Sequence, residues 1–369
     1  MRRVETVIVG GGPAGAATAC GLADMGREVV VIERVAAPHH KVCGEFLSIE
    51  TQTQLRQLGI DAAALGAVPI DHVAVYSSAR SITAALPFRA LSLSRYRLDD
   101  ALLCRAQARG AQVKRGVSVR NVAPDGEAWI VECDDGECLW CRHLVLATGK
   151  WGLRGIGDSR DNSLVGLKMH LRPAAEIRRA LTGCVELFLL NRGYVGLELV
   201  EDGIANLCCL LPRATVARLA PGWQALRDYL AAKLPRLAVR LEGADPLWDK
   251  AMAIVCPTGG HLHSETGPAV YRVGDRLAHI PPFTGDGIAM ALGSGGLAAE
   301  HIRQGSSPAT YLTAARRLSG RTIRLASAVS GLAATGAGRS VLLGAAVMMP
   351  KLIGTIARRT RLPLAAQRN

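Results

Sequence analysis

TVIVGGGPAGAATACGLADMGREVVVIER, residues 6–34, decides the fold of this 369-residue chain. The apolar run from Thr6 to Val9 predicts a short buried strand, and the run from Glu28 to Ile32 predicts a second one. Ala14 to Met25 has the composition of a helix, and Gly26 suits its C-terminal cap. Strand, helix and strand in this order predict a parallel sheet covered by helices, the start of an α/β fold.

The turn between the first strand and the helix has the spacing G-x-G-x-x-G, carried by Gly10, Gly12 and Gly15. Gly10 permits the tight turn, Gly12 lets the backbone approach a pyrophosphate, and Gly15 lets the helix pack close to the strand. Pro13 and Ala14 open the helix, whose free N–H groups favour a negatively charged ligand. The turn therefore predicts a dinucleotide site.

An acid ends the second predicted strand. Glu33 stands 18 residues after Gly15 and is followed by Arg34. A carboxylate at this place accepts hydrogen bonds from a ribose diol. It favours an unphosphorylated ribose, and thus FAD or NAD over NADP.

A second motif for the same cofactor lies in residues 269–295, AVYRVGDRLAHIPPFTGDGIAMALGSG. A strand that ends at Val273 leads into Gly274 and Asp275, and an acid at a strand end can bind a polyol hydroxyl. This pattern indicates a ribityl chain at Asp275.

The glycine turn that follows distinguishes a flavin from a nicotinamide. Pro282 stiffens the loop, Gly285 and Gly287 open it, and a helix begins near Ile288. N–H groups at such a helix start can lie beside a ring that becomes anionic on reduction. We therefore expect FAD, with the pyrimidine edge of its ring at Gly285 to Ile288.

With these motifs in order, the chain resembles the FAD-dependent oxidoreductases of the aromatic-hydroxylase (group A flavin monooxygenase) and geranylgeranyl-reductase superfamily. The matching motifs run from residue 6 to residue 295. The resemblance implies that Arg95, in SRYRLDDAL, reaches the cofactor phosphates or ribityl chain, and that Gly149 ends a strand that returns to the cofactor sheet. It also implies that the segment after the second strand folds over the flavin, through Lys41, Cys43, Gly44 and Glu45.

The expected architecture is α/β: a Rossmann-like FAD-binding domain with an inserted antiparallel β-sheet substrate domain and a helical C-terminus. We expect the FAD-binding domain to be discontinuous, over residues 1–160 and 250–305. The substrate domain covers residues 161–249 and roofs the flavin, and the helical segment covers residues 306–369. Cys133, Cys138 and Cys141 fit a β-hairpin better than a zinc site, because no fourth ligand is near in sequence.

Composition limits the partners. The formal net charge is +13, aromatic residues make up 4%, and the basic residues are scattered, which favours anionic ligands or lipid headgroups over nucleic acid. We expect a small-molecule substrate that is apolar and aromatic. We also expect a cytoplasmic protein, because no apolar run reaches eighteen residues and the N-terminus does not have the pattern of a signal peptide. The stretch SVLLGAAVMMPKLIGTIARRTRL predicts a core or lid helix; the alternatives are a wall for a lipophilic substrate and a foot on a membrane surface.

Four functions compete. The first is hydroxylation of an apolar aromatic or polyketide-like molecule of secondary metabolism, with NADPH or NADH as a transient reductant. The second is reduction or desaturation of a prenyl or polyketide lipid, although GYVGLELV lacks the Tyr-x-Trp-x-Phe-Pro stretch of close isoprenoid reductases. The third, halogenation, lacks its Trp-x-Trp-x-Ile-Pro signature, and the fourth, an electron relay, would not need so large an insert. Thr148-Gly149, where many related hydroxylases have Asp-Gly, weakens a detailed transfer of their nicotinamide-handling step.

Two residues are candidates for catalysis. Tyr194 lies on the predicted roof sheet, and His170 lies on an alternating strand that puts Lys168, His170 and Arg172 on one face. His261 and His263 fit ordinary surface or structural histidines. Cys43 fits a small packing residue better than a redox thiol.

Overall fold

The computed structural model describes residues 1–77, 80–150, 152–153, 163–256, 260–263, 269–349 and 351–363. Two large sheets and a layer of helices make up this part of the chain. The strands are β1 (Arg2–Val9), β2 (Val29–Glu33), β3 (Phe46–Leu47), β4 (Val68–Tyr76), β5 (Ser81–Ser92), β6 (Gln112–Arg115), β7 (Val119–Asp125), β8 (Ala128–Cys133), β9 (Cys138–Leu146), β10 (Leu164–Arg172), β11 (Gly183–Leu190), β12 (Gly193–Leu199), β13 (Ala205–Pro212), β14 (Asp245–Pro246), β15 (Met252–Cys256), β16 (His261–Leu262), β17 (Tyr271–Arg272) and β18 (Ala278–His279).

The helices cover both sheets and form the C-terminal part. They are α1 (Pro13–Ala23), α2 (Ile49–Gln57), α3 (Arg95–Ala108), α4 (Ala175–Leu181), α5 (Arg213–Val216), α6 (Trp223–Lys233), α7 (Pro235–Arg240), α8 (Gly287–Arg303), α9 (Pro308–Ala334), α10 (Gly336–Met348) and α11 (Lys351–Arg359). Short 3-10 turns lie at Glu201–Gly203, Gly274–Arg276 and Pro282–Thr284.

The first sheet carries the nucleotide motif. Its strands run in the order β6-β2-β1-β9-β8-β7; the first four are parallel, and β17 also pairs in parallel with β9. Helix α1 crosses from β1 to β2 and packs against α8, where a Cβ on Gly295 would lie 2.3 Å from the carbonyl oxygen of Ala14. Thr18 Oγ1 donates to Gly295 O at 3.1 Å across the same contact. The predicted α/β fold with its parallel cofactor sheet is confirmed.

The second sheet, which we call the roof, has the order β14-β10-β13-β12-β11-β4-β5-β3, with β15 also beside β10. Its pairs are antiparallel except for β11 with β4, which are parallel. Strands β3, β4 and β5 precede α3 in the chain, so residues that the sequence placed in the cofactor domain also build the roof. One face of the roof packs against α6 and α7 through Trp223, Leu226 and Leu237.

The C-terminal helices close the other side of the molecule. Helix α10 bends by 108° from α9, and α10 and α11 lie against β5. Leu343 and Ile353 join an apolar cluster with Ile70, Val75 and Leu189 of the roof. Within the described residues no single helix is long and apolar enough to cross a membrane. The bent pair of α9 and α10 reaches the required length and apolar content only when the two helices are taken together.

Candidate functional site

The glycines of the first turn separate into two that pack and one that faces open space. Gly10 has a φ of +109°, and a Cβ on it would lie 2.4 Å from Ala147 O; a Cβ on Gly15 would lie 2.0 Å from Gly10 O. A Cβ on Gly12 would meet only Arg95 Nη2, at 3.7 Å. Pro13 and Ala14 begin α1 beside that space. The space at the start of α1 has the position and the open volume that a pyrophosphate needs.

The acid at the end of β2 is held in place by backbone donors. Glu33 is buried, and its Oε2 accepts from Gly11 N at 2.8 Å while its Oε1 accepts from Val35 N at 3.1 Å. Arg34 is exposed. The carboxylate of Glu33 thus has a fixed orientation next to the glycine turn, as binding of a ribose diol requires.

Two cations converge on Asp99 close to Gly12. Arg95 Nε and Nη2 donate to Asp99 at 2.6 and 2.8 Å, and Lys41 Nζ donates to Asp99 Oδ2 at 2.9 Å. Although burial works against the charged form, Arg95 and Lys41 hold the pKa of Asp99 below its usual value. The pair carries more positive charge than Asp99 neutralises, so the cradle can attract a phosphate.

Glu45 lies at the centre of a buried ion cluster. Its side chain is fully buried; Oε1 accepts from Lys168 Nζ and from Arg95 N at 2.7 Å, and Oε2 lies 2.9 Å from His170 Nε2. Although burial raises the pKa of Glu45, Lys168 and His170 hold it below its usual value. The φ of Glu45 is +57°, an unfavourable conformation for a non-glycine residue that persists only where the surroundings fix it.

His40 packs on this cluster from the solvent side. Its ring lies 4.8 Å from that of His170 and 4.9 Å from that of Trp248. Burial and the neighbouring His170 lower the pKa of His40 to about 4, so this ring is neutral at pH 7. His40, Glu45 and His170 have metal-ligand spacing, but the ammonium of Lys168 already supplies the cation that the carboxylate needs.

The roof face above this cluster changes from polar to apolar along its strands. The outward-pointing residues of β10, β12 and β13 pack on α6 and α7, so the alternate residues face the cofactor domain. Three rows cross β10, β13 and β12 in register: a polar row of His170, Asn206 and Glu198, a mixed row of Lys168, Cys208 and Gly196, and an apolar row of Gly166, Leu210 and Tyr194.

The polar row contains an acid that keeps its proton. Glu198 is 2% exposed, and burial raises the pKa of its carboxyl to about 8. Asn206 Nδ2 donates to Glu198 Oε1 at 2.6 Å and to Cys43 O at 3.2 Å. The loop of residues 41–45 is therefore joined to the roof twice, through Cys43 O and through Glu45.

The apolar row ends at an aromatic contact. Tyr194 is half-buried and meets Phe283 edge-on, with ring centroids 5.6 Å apart. Burial raises the pKa of Tyr194 well above its usual value, so its hydroxyl keeps its proton. Among the described residues this hydroxyl has no hydrogen-bond partner, and so a ligand can accept from it.

The glycine turn at the start of α8 contains Gly285 and Gly287, next to Phe283. Gly285 has a φ of +73°, and a Cβ on it would lie 2.8 Å from Phe46. Gly287 is exposed, with no atom within 4 Å of a Cβ built on it, and Ile288 is buried one residue further into α8. Pro282 begins the 3-10 turn that carries Phe283. The start of α8 is thus open on the side that faces the roof.

Asp275 lies in the 3-10 turn that follows β17. Gly274 N donates to Ser294 Oγ at 2.9 Å, which fixes the turn between β17 and β18. Asp275 is half-buried, and although burial lowers the pKa of Lys150, Asp275 raises it above its usual value. Gly149 and Gly44 each have open space where a Cβ would lie.

Several residues of the site have no local sequence signal that identifies them. Asp286 is fully buried before α8; Arg361 Nη1 donates to its Oδ1 at 2.6 Å, and burial raises its pKa to about 7. Arg361 Nη2 also donates to Thr284 O at 3.0 Å. The sequence did not identify Asp286, Arg361, Glu198 and Asn206 as site residues. Only the alternation of polar and apolar residues along β12 and β13 indicated Glu198 and Asn206. Of the two remaining histidines, His263 N donates to Leu277 O at 2.7 Å outside this site, and the side chain of His261 lies outside the described residues.

The residues fit FAD. Gly12 and Arg95 offer the phosphate cradle, Glu33 the ribose acceptor, Asp275 the ribityl acceptor, and the start of α8 an open edge for the ring. The roles of these residues toward FAD stay predictions, and the geometry supports each of them.

Comparisons with known proteins agree with this geometry. Residues 3–155 match the family described as FAD binding domain. A menaquinone reductase of Mycolicibacterium smegmatis is 29% identical over 333 residues, which cover 82% of this chain and 77% of that protein. A menaquinone reductase of Mycobacterium tuberculosis is 27% identical over 329 residues, 80% of this chain and 76% of that protein.

Solved structures show the same fold at lower identity. The flavin-dependent brominase Bmp2 has a TM-score of 0.80 and 19% identity, with 97% of this chain and 93% of that chain covered. PqsL of P. aeruginosa, in complex with 2-aminobenzoylacetate, has a TM-score of 0.74 and 17% identity, with 93% and 99% covered. The predicted FAD-binding domain, the fold class and the assignment to an oxidoreductase enzyme are confirmed, while the individual site residues stay predictions.

Proposed function

We propose that this FAD-dependent oxidoreductase of the aromatic-hydroxylase superfamily reduces a carbon–carbon double bond in an apolar, prenylated lipid of the quinone type. The observation that carries the proposal is the apolar end of the roof, where Tyr194 and Phe283 meet the C-terminal helices. The two menaquinone reductases, which match over about three quarters of their own length, support the choice of substrate class.

The wall beyond the cofactor site is built from apolar side chains of four elements. Leu187 and Leu189 come from β11, Phe283 from the turn before α8, and Leu343 and Ile353 from α10 and α11. Such a surface binds a hydrocarbon chain by burial of apolar area, worth about 25 cal/mol per Å².

The polar row supplies an acid, which the apolar wall does not contain. FAD, when bound, supplies the two electrons of the reduction. Saturation of one double bond also takes up a proton, which a positioned acid must hold until it is needed. Glu198 is such an acid, because its pKa of about 8 keeps the carboxyl protonated at pH 7. Asn206 donates to Oε1, which leaves Oε2 as the atom that carries the proton.

The other residues position the substrate and the cofactor. The hydroxyl of Tyr194 can donate to a quinone oxygen from the apolar end of the roof. Glu45 ties the loop of residues 41–45 to Lys168 and His170, and so fixes the loop that faces the cofactor site. His170, a candidate for catalysis in the sequence, is committed to Glu45 and fits a positioning role.

Hydroxylation of an apolar aromatic molecule is the second candidate, and it was the first choice from the sequence. The observation in its favour is the dry roof: Lys168 and Glu45 are fully buried there, and a water-free site protects reactive oxygen species. NADPH or NADH as the direct reductant belongs to this candidate more than to the first.

Anaerobic mixing separates the candidates. The flavin of the holoenzyme is reduced with dithionite, and its absorbance is followed after addition of a short-chain menaquinone or of menadione, which has no prenyl chain. Either quinone ring can reoxidise the reduced flavin, so the extracted quinone is also analysed by mass spectrometry after its ring has been reoxidised in air. The reductase proposal predicts that the prenylated quinone retains two additional hydrogens, whereas menadione returns unchanged. A prenylated quinone of unchanged mass would contradict it. Bleaching of the oxidised flavin by NADPH or NADH alone tests the reductant separately.

A further inference from the structure

The positive charge of the chain is concentrated at its C-terminal end. No Asp or Glu follows Glu300, whereas eleven Arg and Lys residues do, and the formal net charge of the whole chain is +13. Charge asymmetry of this kind indicates an anionic partner. The C-terminal helices α9, α10 and α11 carry eight of these eleven residues.

The same helices expose large apolar side chains. The second half of α10 and the residue after it carry three of them: Met348 is 83% exposed, Met349 62% and Val347 51%. Val341 is 67% exposed two turns earlier on the same face of α10, and Leu332 is 49% exposed near the end of α9. We call these five side chains the α10 tip.

Basic side chains lie on both sides of the α10 tip along the chain. Arg317, Arg321 and Arg324 recur at helical spacing on the exposed stripe of α9 that leads to Leu332. Lys351 follows Met349 by two residues, and exposed Arg358 and Arg359 end α11. Within the described part of the chain none of these six side chains forms an ion pair.

We propose that the α10 tip and these six basic residues dock on the surface of an anionic lipid bilayer. Exposed methionine and valine side chains can enter the boundary between headgroups and acyl chains, while the arginines and lysine pair with anionic headgroups. An acidic protein partner would explain the charges but not the exposed apolar side chains of the α10 tip. The docking surface does not depend on which reaction the flavin site performs.

The surface lies next to the apolar wall of the site. Leu343 of α10 faces the roof cluster, whereas Val341 and Val347 of the same helix are exposed. One helix therefore has one side toward the expected substrate wall and the other toward the proposed membrane. A lipid substrate would reach the wall from the bilayer without crossing water.

Vesicle sedimentation of the flavin-loaded protein tests the proposal. Wild type is mixed with phosphatidylcholine vesicles, with or without about one-third phosphatidylserine, at low and high salt. We expect binding to the anionic vesicles, weaker binding to the neutral ones, and loss of binding at high salt. Met348→Ser/Met349→Ser and Arg317→Gln/Arg321→Gln/Arg324→Gln should each weaken binding at least tenfold, since one basic residue contributes about fivefold.

Val239→Ser is the matched control, because Val239 is 49% exposed on α7, away from the tip. It should bind like wild type, and all variants should keep their flavin absorbance, which shows that they fold. Equal vesicle binding by wild type and the Met348→Ser/Met349→Ser variant would overturn the proposal. So would a wild-type dimer in gel filtration that the same variant converts to a monomer, because the tip would then join two copies of the chain. Either result would leave the proposed reaction untouched.

Discussion

The raised pKa of Glu198 predicts a specific pH dependence of stability. In the folded protein burial raises the pKa of this carboxyl to about 8, whereas in the unfolded chain it is near 4.3. The folded state therefore binds the proton more tightly. The resulting contribution to stability is complete below about pH 4 and is lost as the pH rises through about 8.

The size of the effect follows from the same values. Between pH 7 and pH 9 the folded state loses about a tenfold preference for the protonated carboxyl, which is about 1.4 kcal/mol of unfolding free energy. Glu198→Gln keeps the shape of the side chain and an oxygen that accepts from Asn206, but it cannot ionise. The wild-type protein should therefore lose about 1.4 kcal/mol more than the variant over this interval.

Urea unfolding of the flavin-loaded proteins at pH 7 and pH 9 measures this difference. Glu176→Gln, at an exposed position of α4, is the matched control and should follow the wild type. If wild type and Glu198→Gln lose the same free energy between the two pH values, Glu198 is ionised in the folded protein at pH 7, and its role as a proton store is wrong.

Three other substitutions test other parts of the site. Gly12→Val should give a folded protein without flavin, because the new side chain would fill only the phosphate space; a yellow, stoichiometric variant in an absorbance spectrum would contradict this. Tyr194→Phe should lower turnover and keep FAD, since it removes only the hydroxyl, and unchanged steady-state kinetics would refute it. Lys168→Met should cost about 3–5 kcal/mol in urea unfolding, because it leaves the carboxylate of Glu45 buried without its cation, and Glu45→Gln added to it should recover most of that loss. As an exposed control, removal of Arg89 from its pair with Asp71 should cost much less than Lys168→Met, and an equal cost for both pairs would show that burial does not matter.

The first strand, helix and strand of the cofactor domain could be predicted because their signals are local. The glycine spacing, the apolar strands and Glu33 all lie within residues 6–34, and each has a direct physical cause in the turn between a strand and a helix. The turn at Gly285 and Gly287 is equally local. Both motifs lie where the sequence placed them, on the two sides of one site.

The roof shows what the sequence could not provide. Strands β3 to β5 join it from residues 46–92, and the pairing of β4 with β11 is parallel, although the sequence predicted an antiparallel insert. The pairing of strands so far apart in the chain has no local signal, because it depends on which apolar faces meet.

The ion pairs of the site have the same limitation. Glu45 meets Lys168 and His170 across more than a hundred residues, and Arg361 reaches Asp286 from the C-terminal end. The sequence identified Glu45 and His170 as separate candidates, and only the fold brings them together. Charged residues at alternate positions of an apolar strand were the available signal, since such residues are rarely buried without partners.

The mass of the product tests whether the protein reduces a double bond of the prenyl chain. The reduced holoenzyme is incubated with a short-chain menaquinone without oxygen. The mixture is then exposed to air, so that any quinol returns to quinone. The molecular mass of the extracted lipid is measured by mass spectrometry. A reductase of the prenyl chain predicts a product that retains two additional hydrogens after this exposure. An unchanged mass would contradict the proposed reduction of the prenyl chain. A product that gains one oxygen atom only when oxygen is present during the incubation would also contradict it, and would favour the hydroxylase.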